Sequence, residues 1–91
     1  MSIQNSFKAM SDQTRRDILE LLKTGSMNAT DISDSFKLSN ATVSHHLNIL
    51  KDANLILDEK KGKYIYYTLN CTVLDELLLF IKNLGGSSYE E

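Results

Sequence analysis

Apolar residues recur every three or four positions through the first half of the chain, which is the spacing of amphipathic helices. After residue 54 the pattern changes to a run of β-branched and aromatic residues, which indicates a pair of strands. The predicted elements are helices over residues 3–10, 12–24, 28–36 and 40–53, strands over 55–57 and 64–69, and a closing helix over 72–84. The pattern therefore predicts a mainly α domain with one β-hairpin (α+β) over residues 1–86, and a flexible acidic tail over 87–91.

Short polar residues stand where the predicted helices begin. Such side chains accept hydrogen bonds from the first free backbone N–H groups of a helix. The candidate caps are Ser11 or Asp12, Asn28 or Thr30, and Ser39 or Asn40. They leave a turn over residues 37–39 between the third and fourth helices.

The fourth predicted helix has an outer side that carries almost no charge. At about 100° per residue, Val43, Leu47 and Leu50 form an apolar stripe. A solvated helix side normally carries Lys and Glu. The opposite side here carries Ala41, Ser44, His45 and Asn48. Small hydrogen-bonding groups of this kind can approach the edges of DNA bases, so we predict a DNA-reading helix.

A cationic turn lies between the two predicted strands, over residues 58–63. Lys60, Lys61 and Lys63 surround Gly62, which supplies the positive φ that a tight turn often needs. The alternative is a merely solvated turn, but contact with DNA phosphates is the favoured interpretation because of its place after the polar helix. A polar recognition helix followed by a basic hairpin is typical of a winged helix-turn-helix.

The last predicted helix is apolar on more than one side. Leu74, Leu77, Ile81 and Leu84 recur at alternating steps of three and four, the spacing of paired helices, and Leu78 widens this surface. The alternative is a helix buried within a single subunit. Because a small domain buries a limited fraction of its surface, we favour a homodimer.

Composition narrows the class of protein. The chain has 91 residues, a formal net charge of −2 and a single cysteine, Cys71, which fits a reducing cytosol. Residues 1–10 lack the basic and apolar segments of a signal peptide, and the longest apolar run is 77–81, so a cytoplasmic protein is expected. The acidic balance argues against DNA binding, although acids 75, 76, 90 and 91 are remote from the lysines in sequence.

Three segments resemble the ArsR-type family of bacterial repressors. Residues 7–19 (FKAMSDQTRRDIL) are similar to its opening signature, although Gln13 stands where the family usually has proline. Residues 43–51 (VSHHLNILK) resemble its recognition helix, and residues 62–69 (GKYIYYTL) resemble its wing. The chain looks most like the short autorepressor branch of the family, which works without metal.

This resemblance implies a homodimeric repressor that regulates its own gene, and we expect it to occupy an inverted-repeat operator. The first and last helices of the family form the dimer, which adds Ile3 and Phe7 to the apolar residues above. The fourth helix of each subunit enters the major groove, and the family's base-contacting positions fall on Asn40, Ala41, Ser44 and His45. Ala41 departs from the commoner polar residue and could meet only a thymine methyl group.

Neither metal site of the family is intact, so no metal or cofactor is expected. Residues 27–31 lack the thiolates found at the start of the third helix in many relatives. The last helix has Asp75 and Glu76 but no histidine. His45 and His46 lie about 100° apart on a helix and cannot easily chelate one ion.

Other functions remain as alternatives. The first is a metal-responsive repressor with an atypical site built from Asp75, Glu76, Cys71 or the histidines. The second is a protein-interaction module that has lost DNA binding. An enzyme is disfavoured because no phosphate-binding glycine loop or nucleophile set is recognisable. With no evident effector pocket, a protein partner that sequesters the dimer is one candidate for the signal that releases it from DNA.

Four further residues have predicted structural roles. His46 lies at the edge of the apolar stripe and is predicted to be a hydrogen-bonded structural histidine. Arg15 and Arg16 are predicted on a solvated helix side, with one of them able to pair with Asp12 or a phosphate. Cys71 is predicted to be a small buried or capping residue.

Overall fold

The computed structural model describes residues 3–85, and its helices follow the predicted order. The elements are α1 (Ile3–Met10), α2 (Gln13–Leu22), β1 (Met27–Asn28), α3 (Ala29–Phe36), α4 (Asn40–Asp52), β2 (Ile56–Lys61), β3 (Tyr64–Leu69) and α5 (Cys71–Gly85). The predicted mainly α domain with a hairpin wing is confirmed. The predicted tail and the boundary at residue 86 lie outside the described residues.

Three of the candidate capping residues begin helices, which explains where α2, α3 and α4 start. The side chain of Asp12 accepts from the backbone N–H of Arg15, and that of Asn28 accepts from Asp31. Ser39 Oγ accepts from the backbone N–H of Thr42 at 3.1 Å. Ser39 therefore caps the recognition helix, and capping does not account for Asn40.

The sheet has three strands in the order β1-β3-β2, all antiparallel. The sequence pattern missed β1, because two residues are too few to show an alternation. It also placed the hairpin turn over residues 58–63, which is wrong. β2 continues to Lys61, which pairs with Tyr64, so the turn contains only Gly62 and Lys63.

The core lies between helices α2, α3 and α4 and one face of the sheet. Its largest fully buried apolar side chains are Ile18, Ile32, Val43, Leu47, Leu50, Leu55 and Ile56. The apolar stripe predicted on α4 is thus the side that packs inward. Because this stripe packs inward, the opposite side of α4 faces solvent.

A three-residue turn joins α3 to α4 and makes the helix-turn-helix. Lys37 adopts the left-handed conformation (φ 56, ψ 40), and its backbone N–H donates to the carbonyl of Ser33. Leu38 also donates to that carbonyl, at 3.1 Å. These bonds end α3 and direct the chain into the cap of α4.

Gly62 of the hairpin turn has a backbone conformation that other residues adopt only at a cost in stability. Its φ is +62°, and a Cβ built there meets nothing within 4 Å, so the cost is conformational alone. We expect Gly62→Ala to destabilise the fold by about 1 kcal/mol. Thermal unfolding at fixed protein concentration should show a loss of roughly 4–8 °C. Gly62→Asn should lose less, since asparagine tolerates this conformation; an unchanged midpoint for the alanine variant would contradict the assignment.

Candidate nucleic-acid interface

The outer side of α4 presents all five residues predicted to read DNA. Asn40, Ala41, Ser44, His45 and Asn48 are exposed, whereas the stripe on the other side of the helix is buried. No charged side chain occurs on α4 before Lys51, near its end. The surface can therefore offer hydrogen bonds and small contacts to base edges without a fixed charge.

His46 lies between this surface and the core. Its side chain is 14% exposed, and its Nδ1 is 3.4 Å from Nη1 of Arg15 and 3.9 Å from Oδ2 of Asp12. The structure agrees with the structural role predicted for this histidine. Because a guanidinium can only donate, a hydrogen bond between these two groups makes Nδ1 of His46 the acceptor.

Arg15 is half-buried, not part of a solvated helix side as predicted. Its Nε donates to the carbonyl of Ala9 at 2.6 Å, and its backbone N–H donates to Asp12. That backbone hydrogen bond is the main cause that lowers the pKa of Asp12 below its usual value, and the positive charge of Arg15 acts in the same direction. Partial desolvation opposes them, but the anionic form of the cap is favoured.

The three wing lysines do not share one surface. Lys60 and Lys61 are successive residues of β2, so their side chains leave opposite faces of the sheet. Lys61 Nζ lies 5.9 Å from the ring centre of Tyr66 and 3.9 Å from a carboxylate oxygen of Glu59. Lys63 is in the turn itself, with Nζ 5.6 Å from the ring centre of Tyr64. The sequence prediction of one cationic turn is corrected in this respect.

A concave surface lies between the recognition helix and the wing, and the pocket that it forms has a volume of about 290 Å³. Ser44 of α4 and Lys63 of the hairpin turn both line it, so two residues that are 19 positions apart in sequence are brought together. Thr30 and Tyr64 also line this surface, and the sequence interpretation did not assign them to the site. In the sequence, Thr30 is notable only as an alternative cap of the third helix, and Tyr64 only because it follows the turn.

An ion pair connects the wing to the end of the recognition helix. Lys51 Nζ of α4 lies 2.8 Å from Oδ2 of Asp58 in β2. The hydrogen bond to Asp58 raises the pKa of Lys51, so this lysine is cationic at physiological pH. Nearby, burial is the main cause that raises the pKa of Tyr67. The pair thus spans the junction of helix and hairpin.

Helix α5 leaves most of its apolar residues exposed. Together with Phe7 of α1, they form what we call the α5 apolar surface, which comprises Phe7, Leu78, Leu79, Phe80, Ile81 and Leu84. The rings of Phe7 and Phe80 are 6.4 Å apart, so α1 and α5 contribute to one surface. Within residues 3–85, none of the helices has the length and apolarity of a membrane span.

Leu77 was predicted to be a dimer residue, and the structure shows that this prediction is wrong. It is only 3% exposed and belongs to the core of its own chain. Ile3 and Leu74 are half-buried and pack against that core. A charge at Leu77 would therefore damage the fold and would not test association.

Candidate metal ligands are not assembled in the part of the chain that the structure describes. Among residues 3–85, no three His, Cys, Asp or Glu side chains form a group that could hold an ion. Cys71 is exposed at the first residue of α5, which corrects its predicted burial. It is not the cap either, because Asn70 Oδ1 accepts from the backbone N–H of Val73 at 3.4 Å.

Known proteins share both the sequence and this architecture. A sequence model described as "Bacterial regulatory protein, arsR family" matches residues 12–57. The transcriptional repressor SdpR of Bacillus subtilis is 53% identical over 81 residues, covering 89% of this chain and 90% of SdpR. The arsenical resistance operon repressor of the same organism is 41% identical, with 82% of this chain and 72% of that protein covered.

Solved structures show the same fold. An ArsR-like transcriptional regulator from Rhodococcus sp. RHA1 superposes with a TM-score of 0.84 at 26% identity, covering 92% of this chain and 79% of that one. The homodimeric winged helix-turn-helix DNA-binding domain Mb0332 of Mycobacterium bovis has a TM-score of 0.77 at 23% identity, with coverages of 97% and 82%. The chain belongs to the ArsR family of bacterial regulatory proteins, and it is a winged helix-turn-helix DNA-binding transcriptional repressor.

Proposed function

We propose that the chain is a homodimer that represses transcription by occupying an inverted-repeat operator. The observation that carries the proposal is the concave surface shared by Ser44 of the recognition helix and Lys63 of the wing. In this arrangement Ser44, His45 and Asn48 read base edges in the major groove, while Lys63 contacts phosphate. Asn40 and Ala41, in the first turn of α4, complete the reading surface. Lys60 and Lys61 have secondary roles.

The α5 apolar surface supports the homodimer. Five of its six residues belong to a helix that buries only Leu77 within the chain. Several large apolar side chains that are exposed on one helix often mark an interface. Mb0332 is itself described as homodimeric, and its fold is shared. A second copy places two α4 helices symmetrically, which matches an inverted repeat.

Selection of DNA from a random pool tests this function. The purified protein should enrich a sequence with two inverted half-sites, spaced by about one helical turn, 10–10.5 bp. Footprinting on the enriched duplex should protect both half-sites. Enrichment of a single half-site, or of no sequence at all, would contradict the proposal.

Regulation of the operator is assigned by resemblance. SdpR, described as a transcriptional repressor, covers nearly the whole chain and supports repression. We propose that the chain represses its own gene and that a protein partner relieves this repression by sequestering the dimer away from the operator. Expression of a reporter placed under the promoter of this gene should rise when the gene is deleted.

Metal response is the second candidate, because several relatives are named for arsenic or cadmium resistance. We expect zinc, cadmium or arsenite to change operator affinity by less than threefold, about 0.7 kcal/mol of coupling. The physical reason is that the chain has one cysteine and two adjacent histidines as soft or borderline ligands. Operator titrations with and without each ion measure this. Stoichiometric metal in the native protein, with release of DNA, would favour the atypical sensor.

A further inference from the structure

One planar side chain joins the end of α1 to the middle of the recognition helix. The guanidinium of Arg15 donates from Nε to the carbonyl of Ala9 at 2.6 Å and from Nη2 to that of Lys8 at 3.5 Å. The same group donates from Nη1 to His46 Nδ1 at 3.4 Å. Because the guanidinium is planar and rigid, it fixes the positions of the three groups that it contacts relative to one another.

His46 is adjacent to a predicted reading residue. The rings of His45 and His46 are 5.6 Å apart, so the orientation of one limits the space available to the other. Recognition of base edges needs side chains placed to within about 0.5 Å. The buried stripe of α4 fixes its packing through non-directional contacts. A directional hydrogen bond at His46 adds control over the rotation of α4 about its axis.

We propose that Arg15 is a positioning residue, which holds α4 in its DNA-reading orientation by donating to His46. The proposal rests on the proposed function, since it requires α4 to read base edges. At 3.4 Å the hydrogen bond is long and contributes little to stability. Its effect is on orientation, and it connects the reading helix to α1, which carries Phe7 of the α5 apolar surface.

Arg16 provides a matched control. It also donates to the end of α1, from Nη1 to the carbonyl of Met10 at 2.7 Å, and from Nη2 to Gln13 Oε1 at 2.9 Å. These hydrogen bonds stay within α1 and α2 and do not reach α4. The same substitution at both arginines therefore separates capping of α1 from contact with His46.

The experiment measures affinity for the selected operator and for a random duplex at one salt concentration and at pH 8. We expect Arg15→Gln and His46→Leu each to weaken operator binding about tenfold. Binding to the random duplex should change less than about twofold, because phosphate contacts carry no sequence information. Arg16→Gln should stay within about twofold on both duplexes. His46→Gln, which retains an acceptor, should recover to within about threefold of wild type.

A double-mutant cycle distinguishes positioning from a general structural role. If Arg15 acts through His46, the double variant Arg15→Gln/His46→Leu should lose about tenfold, no more than either single change. A loss of about a hundredfold would overturn the proposal, as would equal losses for Arg16→Gln. If Arg15→Gln fails to fold by circular dichroism, the His46→Leu and His46→Gln pair decides alone, and equal affinities for them overturn it. Failure of the wild type to bind any selected operator would instead refute the proposed function.

Discussion

Replacing Leu78 and Ile81 together with glutamate should leave a folded chain that is monomeric at micromolar concentration and no longer binds operator. Both side chains are exposed in the single chain, 63% and 50% respectively, so the core does not depend on them. Burying such side chains contributes about 1.5–3 kcal/mol each. With four of them lost per dimer and carboxylates introduced, the dissociation constant should rise at least about a hundredfold.

Sedimentation velocity measures this directly, and circular dichroism confirms folding. The matched control is Ser35→Glu, an exposed residue in the last turn of α3, which contributes no residue to the α5 apolar surface. That variant should remain dimeric, which excludes a general effect of added negative charge near the end of a helix. A wild-type monomer, or a double variant that still forms dimers, would show that the α5 apolar surface is not the interface.

Substitutions in the recognition helix and in the wing should weaken DNA binding in different ways. His45→Ala or Ser44→Ala should cost about 1–3 kcal/mol on operator and much less on random DNA, because base contacts are lost. Lys63→Ala should weaken binding to both DNAs alike. Its salt slope should fall by about 1.8, since a symmetric dimer loses two phosphate contacts at about 0.9 each.

Lys61→Ala is the matched control for the wing. Lys61 lies beside Tyr66 and Glu59, and it does not line the surface shared by Ser44 and Lys63. Its replacement should change affinity and salt slope less than that of Lys63. Titrations on both DNAs at several salt concentrations decide the matter. Equal losses on both DNAs for His45→Ala would remove His45 from the reading set.

Helices and their starts were predictable because two independent signals agree there. The periodicity gives each buried side, and the caps at Asp12, Asn28 and Ser39 give the first turn. The polar side of α4 followed from the same periodicity. β1 was missed because its pairing with β3 is long-range, and two residues give no local pattern.

The errors at Leu77 and the wing lysines have different physical causes. Apolar spacing shows that a side chain is buried, but burial against its own chain and against a partner have the same chemistry. Leu77 packs into its own core, whereas Leu78 and Ile81 do not. At the hairpin, the polar run of β2 has no alternation to mark it as strand. Only the pairing with β3 separates Lys60 and Lys61 onto opposite faces.

The exposed apolar residues of α5 make the stability of the folded protein depend on its concentration. A dimer formed through them gains free energy that grows with the logarithm of the protein concentration. The midpoint of thermal unfolding should accordingly rise as the protein is concentrated. In a cell that makes few copies, each chain would spend more time as a separate and less stable monomer. The abundance of the repressor would then set both its occupancy of DNA and its own lifetime against proteolysis.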